Sequence, residues 1–598
     1  MRFTRNTLTF FYAIAVLFLL CIIGYVASYL YASTIDAHHY SFNQTWYENA
    51  KLNFDKLNGR WSQGFTNDHR FYIYRLPVTV LLNVTFFVSI WYFFKALFKR
   101  WSFVIASVFY FAFLLNSFNF YQVAYLLNTA LSYTLGISLL FFFYGYILRN
   151  GFKLNFKDYR TWLAILLTIF LTGLVEHLFF INIAILGFLL VYHWLGKKQI
   201  NKGMLFYFGL NIVGAAVTLL SPGLRKRREV TAIRNEKLGR DTSIDFTEFF
   251  NTLGSQIELN ANWMALGFFV FFLMFFIGRY ELRSQYTINK LQLVWLFIFI
   301  LLIPICPILL GYVGSNGIVG MPKAYNLFSF LFLTSLVFIA FGVAYIFPKN
   351  SSASFFSYVL KSIAALLVLV YIGYSFFEDK KSRLYFQQRQ VFSGDIKKPY
   401  FDELARRQYL METYYHNQAK VIPALSPGYR GKIDGAHRGN AHPMYYDKRF
   451  NSNMPIKVSN DLLLPREYTT AFLVENGKLG PISQEDGFDV YYNKTLRVLL
   501  FKATTDTIFK NKELKDFSIT VSGKEFFGKK EETLSLKSKQ IYNRKEKFYN
   551  QYPSFFCVQL PLYTSKVQIE PFGISIDAED AKIQSKIEYD FNYGKIMR

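Results

Sequence analysis

Residues 161–195 read "TWLAILLTIFLTGLVEHLFFINIAILGFLLVYHWL", and one acid, Glu176, sits beside His177 in the middle of this apolar run. Lys157 and Arg160 precede the run, and Lys197 and Lys198 follow it. Basic residues collect on the cytoplasmic side of membrane spans. Both ends therefore belong on one side, and the run crosses a bilayer twice with a turn near Glu176. Thirty-five residues of helix reach only about 50 Å at ~1.5 Å per residue, less than two crossings of a core about 30 Å thick. The hairpin tip is expected to stop short of the outer surface, with Glu176 and His177 at the floor of a water-filled cavity that opens outward. Polar groups at membrane depth usually line such a cavity. The plainer alternative is a solvated, inert hairpin tip.

The same reasoning extends over the chain. Hydrophobic residues make up 53% and charged residues 18% of the 598 residues, against about 25% charged in an ordinary soluble domain. The charge deficit lies within residues 1–377, where spans are predicted near 8–31, 76–94, 101–117, 131–148, 161–175, 178–195, 204–220, 263–278, 291–313, 326–347 and 355–377, about eleven in all. The first is too long for a typical signal-peptide core and is read as uncleaved. Alternate connections carry the basic residues: Arg2 and Arg5, Lys95 to Arg100, Arg149 to Arg160, Lys197 to Lys202, Arg279 to Lys290, and Lys349. The N-terminus is thus expected in the cytoplasm, and the odd number of spans carries the C-terminal region outside. Residue usage rich in Lys, Asn, Phe, Tyr and Ile suggests a bacterium with an AT-rich genome, and the expected location is its inner membrane. Topology accounts for the net charge of +26. With no zinc-finger spacing, phosphate loop or arginine-rich arm, nucleic acid is not an expected partner. Cys21, Cys306 and Cys557 form no disulfide framework or metal set.

The outer loops hold the candidate chemistry. The first contains "STIDAHHYSF" (33–42), placing Asp36, His38 and His39 just past span one, where they can act as a base or hold a divalent metal. "GRW" adds Arg60, and "NDHR" adds Asp68, His69 and Arg70. The uncharged segment "NSFNFYQVAYLLNTALSY" (116–133) offers tyrosines, Gln122 and Asn128 for a sugar, or an interfacial aromatic belt. After "SPG" (221–223), Arg225, Lys226, Arg227 and Arg228 break the positive-inside pattern. Ser-Pro-Gly reads as a turn, after which Arg225 or Arg228 can grip a phosphate at headgroup depth. Contact with anionic lipid, or pairing with Glu229 and Glu236, explains the cluster as well. "GSNGIVGMPKAYN" (314–326) adds Lys323 as another phosphate contact.

Over residues 1–377 this order of features resembles the GT-C class of polytopic membrane glycosyltransferases: Asp36 after span one, the intramembrane "GLVEH", "SPG" followed by arginine, and a Gly-rich loop before a late span. The likeness is to a bacterial branch of that class. It implies a polyprenyl-phosphate-linked sugar donor, with Arg225, Arg228 and Lys323 on its phosphate. It also implies Asp36 as base on an acceptor hydroxyl, with Glu176 and His177 orienting the sugar or assisting proton transfer. The family often has a pair of acids where this chain has Asp-Ala-His-His, so metal use and the identity of the base stay open.

Residues 378–420 read as an amphipathic helical connector, and 421–598 as a β-rich or mixed α/β outer domain. Its predicted strands include "VIPAL", "YTTAFLV", "FDVYYN", "LRVLLFKA", "FSITVSG", "ETLSLKS", "FFCVQLPL", "VQIEPFGISI" and "KIQSKIEYDF". Such a domain can bind an acceptor glycan or protein, or an envelope protein partner. Three other functions fit the same pattern: a lipid or glycan transporter, a non-catalytic envelope scaffold, and a glycan ligase.

Overall fold

A computed structural model describes residues 2–28, 46–57, 60–66, 75–98, 101–116, 123–124, 130–237, 249–251, 290–314, 322–346, 366–371, 421–423, 457–459, 465–485, 488–503, 517–525, 528–536, 554–560, 564–569, 572–576, 579–583, 587–590, 595–597 and a few shorter stretches and single positions between them. The chain divides into two compact units, Met1–Ser28 with His39–Gln388, and Tyr29–His38 with Arg389–Arg598.

The first unit is helical. Among the described residues its elements are α1 (Arg2–Ser28), α2 (Trp46–Leu52), a π-helix at Asn53–Leu57, α3 (Trp61–Thr66), α4 (Arg75–Leu97), α5 (Ser102–Asn116) and a second π-helix at Ala130–Thr134. There follow α6 (Leu135–Asn150), α7 (Tyr159–Thr172), α8 (Glu176–Lys197), α9 (Lys202–Leu219), α10 (Pro222–Lys237) and α11 (Lys290–Leu302). A 3₁₀ turn at Ile303–Ile305, which contains Pro304, leads to α12 (Cys306–Gly314), and α13 (Pro322–Ile346) completes the unit.

Among the described residues, seven apolar segments are long enough to cross a membrane: Asn6–Ala27, Leu76–Leu97, Ala130–Asn150, Glu176–Lys197, Lys202–Leu219, Lys290–Leu310 and Asn326–Ala344. Two more, Ser102–Leu114 and Tyr159–Thr172, are apolar but shorter. The seven coincide with seven predicted spans, and the two shorter helices fall where two more are predicted. Of the other two, 263–278 lies almost wholly outside the described residues, and 355–377 is described only at 363, 366–371 and 373–374.

The helices are apolar outside and partly polar inside. On α7, Trp162, Leu163 and Leu166 are exposed, whereas Thr161, Thr168 and Thr172 are buried. On α9, Leu205, Ile212 and Val213 face outward while Asn211 is buried. Water would not stabilise so large an apolar surface, but a lipid surround does, and the buried polar groups then bond helix to helix. Tyr144 Oη donates to Asn182 Oδ1 at 2.5 Å. Asn182 Nδ2 donates to Asn211 Oδ1 at 2.8 Å, and Asn211 Nδ2 to the Tyr207 carbonyl at 2.9 Å. This chain of bonds ties α6, α8 and α9 together. An aromatic core joins α4, α5, α6 and α13, with Phe109 edge-on to Phe141 and Phe330, and Phe86 edge-on to Phe113. Close approach of α6 to α4 needs Gly145, since a Cβ there would lie 2.6 Å from the Tyr92 ring.

In the second unit, α14 (Pro465–Glu475) packs on an antiparallel sheet in the order β3-β4-β5-β8, formed by β3 (Ser483–Glu485), β4 (Phe488–Asn493), β5 (Val498–Ala503) and β8 (Phe555–Gln559). A five-stranded sheet, β13-β12-β9-β6-β7, joins β6 (Phe517–Glu525), β7 (Gly528–Leu536), β9 (Thr564–Ile569), β12 (Ile587–Asp590) and β13 (Lys595–Met597). Two pairs complete the described strands: β1 (Val421–Pro423) parallel to β2 (Lys457–Ser459), and β10 (Phe572–Ile576) antiparallel to β11 (Glu579–Ile583). Cys557 is buried on β8, as its apolar neighbours predict.

One predicted strand is corrected. "YTTAFLV" (468–474) is helical, within α14. Pro465 suits a first helical turn and Glu467 the positive end of the helix dipole. Tyr468, Ala471 and Phe472 are all buried, at the i, i+3, i+4 spacing of a helix face rather than the alternation of a strand. Thr469 Oγ1 donates to the Ala405 carbonyl at 3.0 Å. Tyr409 meets Tyr468 and Phe472 edge-on, with centroids 5.4 and 4.9 Å away.

A candidate anion site at the turn between two membrane helices

The expected hairpin turns at Gly173–Val175. Gly173 closes α7, and Val175, in extended conformation with no side-chain cap, precedes Glu176 in the first turn of α8. Three other segments meet at this turn. The start of α3 sits directly on it: the Ser62 amide donates to the Gly173 carbonyl at 3.1 Å, and a Cβ at Gly173 would lie 2.4 Å from both Ser62 Oγ and Trp61 Cε2. The end of α9 is tied to the turn by Thr218 Oγ1, which donates to the Thr172 carbonyl at 2.9 Å. The second π-helix is entirely buried, and Gln63 Nε2 donates to its Ser132 Oγ at 3.1 Å. Gly136, just beyond it, brings α6 onto Leu178, leaving no room for a Cβ.

These contacts deliver charges to one place. Arg60 Nε lies 3.0 and 2.9 Å from the two Glu176 carboxylate oxygens, and its Nη2 lies 2.5 Å from Oε2. Arg227 Nη1 approaches Glu176 Oε1 at 3.7 Å. The Arg60 and Glu176 side chains keep 11% and 17% of their exposure, the Arg227 side chain 40%. Burial alone would pull the Arg60 guanidinium down, but Glu176, Tyr133 and the hydrogen bonds hold it above the ordinary arginine range. Arg227 is held below that range, by Arg60 first and then by burial, while Glu176 pulls it back. Both stay cationic, as arginine does in proteins. Two guanidiniums thus face one carboxylate among the described residues.

His177 adjoins this cluster at 9% exposure. Neither Nδ1 nor Nε2 has a hydrogen-bond partner among the described residues. Its ring lies 6.4 Å from that of Tyr133, centroid to centroid, and it is within electrostatic reach of Glu176, Arg60 and Arg227. Buried imidazole nitrogens are normally bonded, so an open pair beside two guanidiniums marks a candidate site for an anion.

Of the residues singled out from sequence, Arg60, Glu176 and His177 come together here. Arg225 does not. It is exposed and pairs with Glu229 one turn along, at 3.4 Å. The loop expected after "SPG" is instead the first turns of α10. Ser221 is the reason: its Oγ donates to the Thr218 carbonyl at 2.7 Å and accepts from the Leu224 amide at 3.4 Å, and Pro222 occupies a first-turn position that needs no amide donor. Helical periodicity then sends Arg225 outward and Arg227 inward on the face of buried Leu224. Arg228 and Lys323 lie on the backbones of α10 and α13, and their side chains lie outside what is described. Asp36, His38, His39 and Asn128 fall outside the described residues altogether, as do Asp68, His69 and Arg70. Among the described residues, no group of three or more His, Cys, Asp or Glu side chains is placed to hold a metal. Compared with known proteins, the chain matches no family model and no curated relative.

Proposed function

We propose that the chain is a membrane glycosyltransferase that moves a sugar from a polyprenyl-phosphate donor to an extracytoplasmic glycan, lipid or protein acceptor. The observation that carries this reading is the convergence of Arg60, Arg227 and Glu176, from three separate segments, on the turn that ends two apolar helices. Paired guanidiniums at such a turn suit a phosphate whose lipid tail runs along the outer faces of the helices. In this reading the donor enters from the lipid. Arg227 contacts its phosphate, and Arg60, locked by Glu176, holds the field in place. The sugar C1–O bond to phosphate breaks as the acceptor oxygen bonds to C1, and charge grows on the leaving phosphate. Fixed positive groups stabilise such charge without reorganising. Asp36 takes the acceptor proton, as the resemblance to GT-C enzymes implies.

The same proposal includes a full set of about eleven spans in a GT-C-like arrangement and a bacterial inner membrane. It places the N-terminus in the cytoplasm and the β-rich domain on the outer side, where that domain meets the acceptor or an envelope partner. The test uses the full chain in lipid nanodiscs with a labelled polyprenyl-phosphate sugar. Release of polyprenyl phosphate is expected to fall about 100-fold or more in Arg227→Ala, and as far in Asp36→Asn. Full release in Arg227→Ala would overturn the assignment.

A further inference from the structure

Uncharged groups stand open at the turn beside the arginines. His177 is buried, and among the described residues neither ring nitrogen has a hydrogen-bond partner. Ser62 is wholly buried where α3 meets the turn, and its Oγ has none either. Its amide is used, on the Gly173 carbonyl, but its hydroxyl is not. Trp61 is half-buried and lays the edge of its indole on the same glycine: a Cβ at Gly173 would lie 2.6 Å from Nε1.

These side chains ask for something the arginines do not. A guanidinium only donates. A buried imidazole beside two guanidiniums stays neutral, because its charged form would lose water and face like charge. A neutral imidazole carries one N–H donor and one bare acceptor nitrogen, and a hydroxyl also donates and accepts. A phosphate diester has no proton to give. It can satisfy the arginines and the imidazole N–H, yet it leaves the acceptor nitrogen of His177 without a donor, and a buried polar atom left so costs free energy. A ligand that answers the whole set brings phosphate oxygens and O–H groups together.

We infer that Trp61, Ser62 and His177 form an uncharged subsite that binds the sugar hydroxyls of a glycosyl phosphate whose phosphate lies on the arginines. The inference rests on the glycosyltransferase reading for its substrate class, and adds to it the side chains that select the sugar. His177 accepts from one hydroxyl and donates to the next, Ser62 does the same, and the indole offers an N–H and an apolar flank to the ring C–H groups. Chain order favours the pairing: Arg60, Trp61 and Ser62 are consecutive, so the segment that holds Glu176 also carries two of the three uncharged groups. The open atoms of Ser62 and His177 are closed to water, and Arg227, at 40% exposure, is the member of the cluster with room to swing aside as the ligand enters.

The measurement is calorimetric titration of the full chain in nanodiscs with short polyprenyl phosphates esterified to glucose, mannose or galactose. The reference is the cyclohexyl ester of the same lipid phosphate, which keeps the ring and the charge but has no hydroxyl. At least one hexosyl lipid is expected to bind about tenfold to a hundredfold tighter than the cyclohexyl ester, the range for two net hydrogen bonds. His177→Phe should erase most of that preference, and His177→Gln, whose amide both donates and accepts, should restore part of it. Ser62→Ala should cut it about threefold to tenfold and serves if the histidine variants do not fold. Binding of the cyclohexyl ester should move little in these variants, whereas Arg227→Gln should weaken every lipid alike. A cyclohexyl ester that binds as tightly as all three hexosyl lipids overturns the inference, as does a hexosyl preference untouched by both His177→Phe and Ser62→Ala. Water-soluble methyl hexosyl phosphates that bind as tightly as the lipids overturn the lipid source. A hexosyl preference that these variants remove, in a chain that transfers no sugar, would support the subsite and discard the transferase reading.

Discussion

Glu176 is held by two arginines, and the closer of them has almost no water to fall back on. Arg60 keeps only 11% of its side-chain exposure. Glu176→Gln would leave that guanidinium buried without its counter-charge, which costs about 3–5 kcal/mol. A clear drop in the thermal midpoint of the detergent-solubilised chain is the expected result, read by tryptophan fluorescence. The double replacement Arg60→Met with Glu176→Met should restore most of that stability, because apolar residues can replace a buried ion pair at little loss. It should not restore transfer. Glu176 and His177 were legible in the sequence because they interrupt a run with no other charge. Arg60 was visible only as one of several polar residues in an outer loop. Nothing along the chain pairs it with Glu176, because the 116-residue separation is closed only by the packing of α3 on Gly173. Arg227 was hidden by its neighbours: four consecutive basic residues look equivalent until a helix sorts them by face. Leu224 three positions earlier was the signal, since an apolar residue marks the inward side.

At the scale of elements, the turn works because small residues let three segments touch it. Gly173→Ala would drive a methyl group into Ser62 and Trp61. Overpacking of this kind costs about 1–3 kcal/mol. Here the strain should fall on α3 and shift Arg60 away from Glu176. A fall in transfer larger than the fall in stability is the expected pattern, seen by comparing turnover and melting midpoint of the same preparation. Unchanged turnover would mean that α3 does not set the position of Arg60. The seven long apolar helices and most of the described strands are readable from their periods of composition and alternation. The errors share one cause. "SPG" reads as a turn and "YTTAFLV" as a strand, yet near both a Pro stands where a helix begins. A Ser before it caps the first, and three buried positions at helical spacing stabilise the second. β-branched and aromatic residues favour strands only where the packing agrees.

For the whole molecule, topology is the quantity to test. Single cysteines at Lys198 and Lys226, both on exposed positions, in a chain with Cys21, Cys306 and Cys557 replaced by Ala, should react with a membrane-impermeant maleimide from opposite sides. Lys198 should label only after the cell is opened and Lys226 in intact spheroplasts. Labelling of both from one side would remove the outward-facing turn on which the proposed donor site depends. The helix Tyr159–Thr172 has 14 residues, about 21 Å of length, beside a partner of 22 residues. If this outwardly apolar helix spans a bilayer about 30 Å thick, it falls some 9 Å short, and lipids adapt by thinning where a span is short. The leaflet beside it would then dip, and a carrier with a heavy polar head could slide down to the buried carboxylate without leaving its own layer.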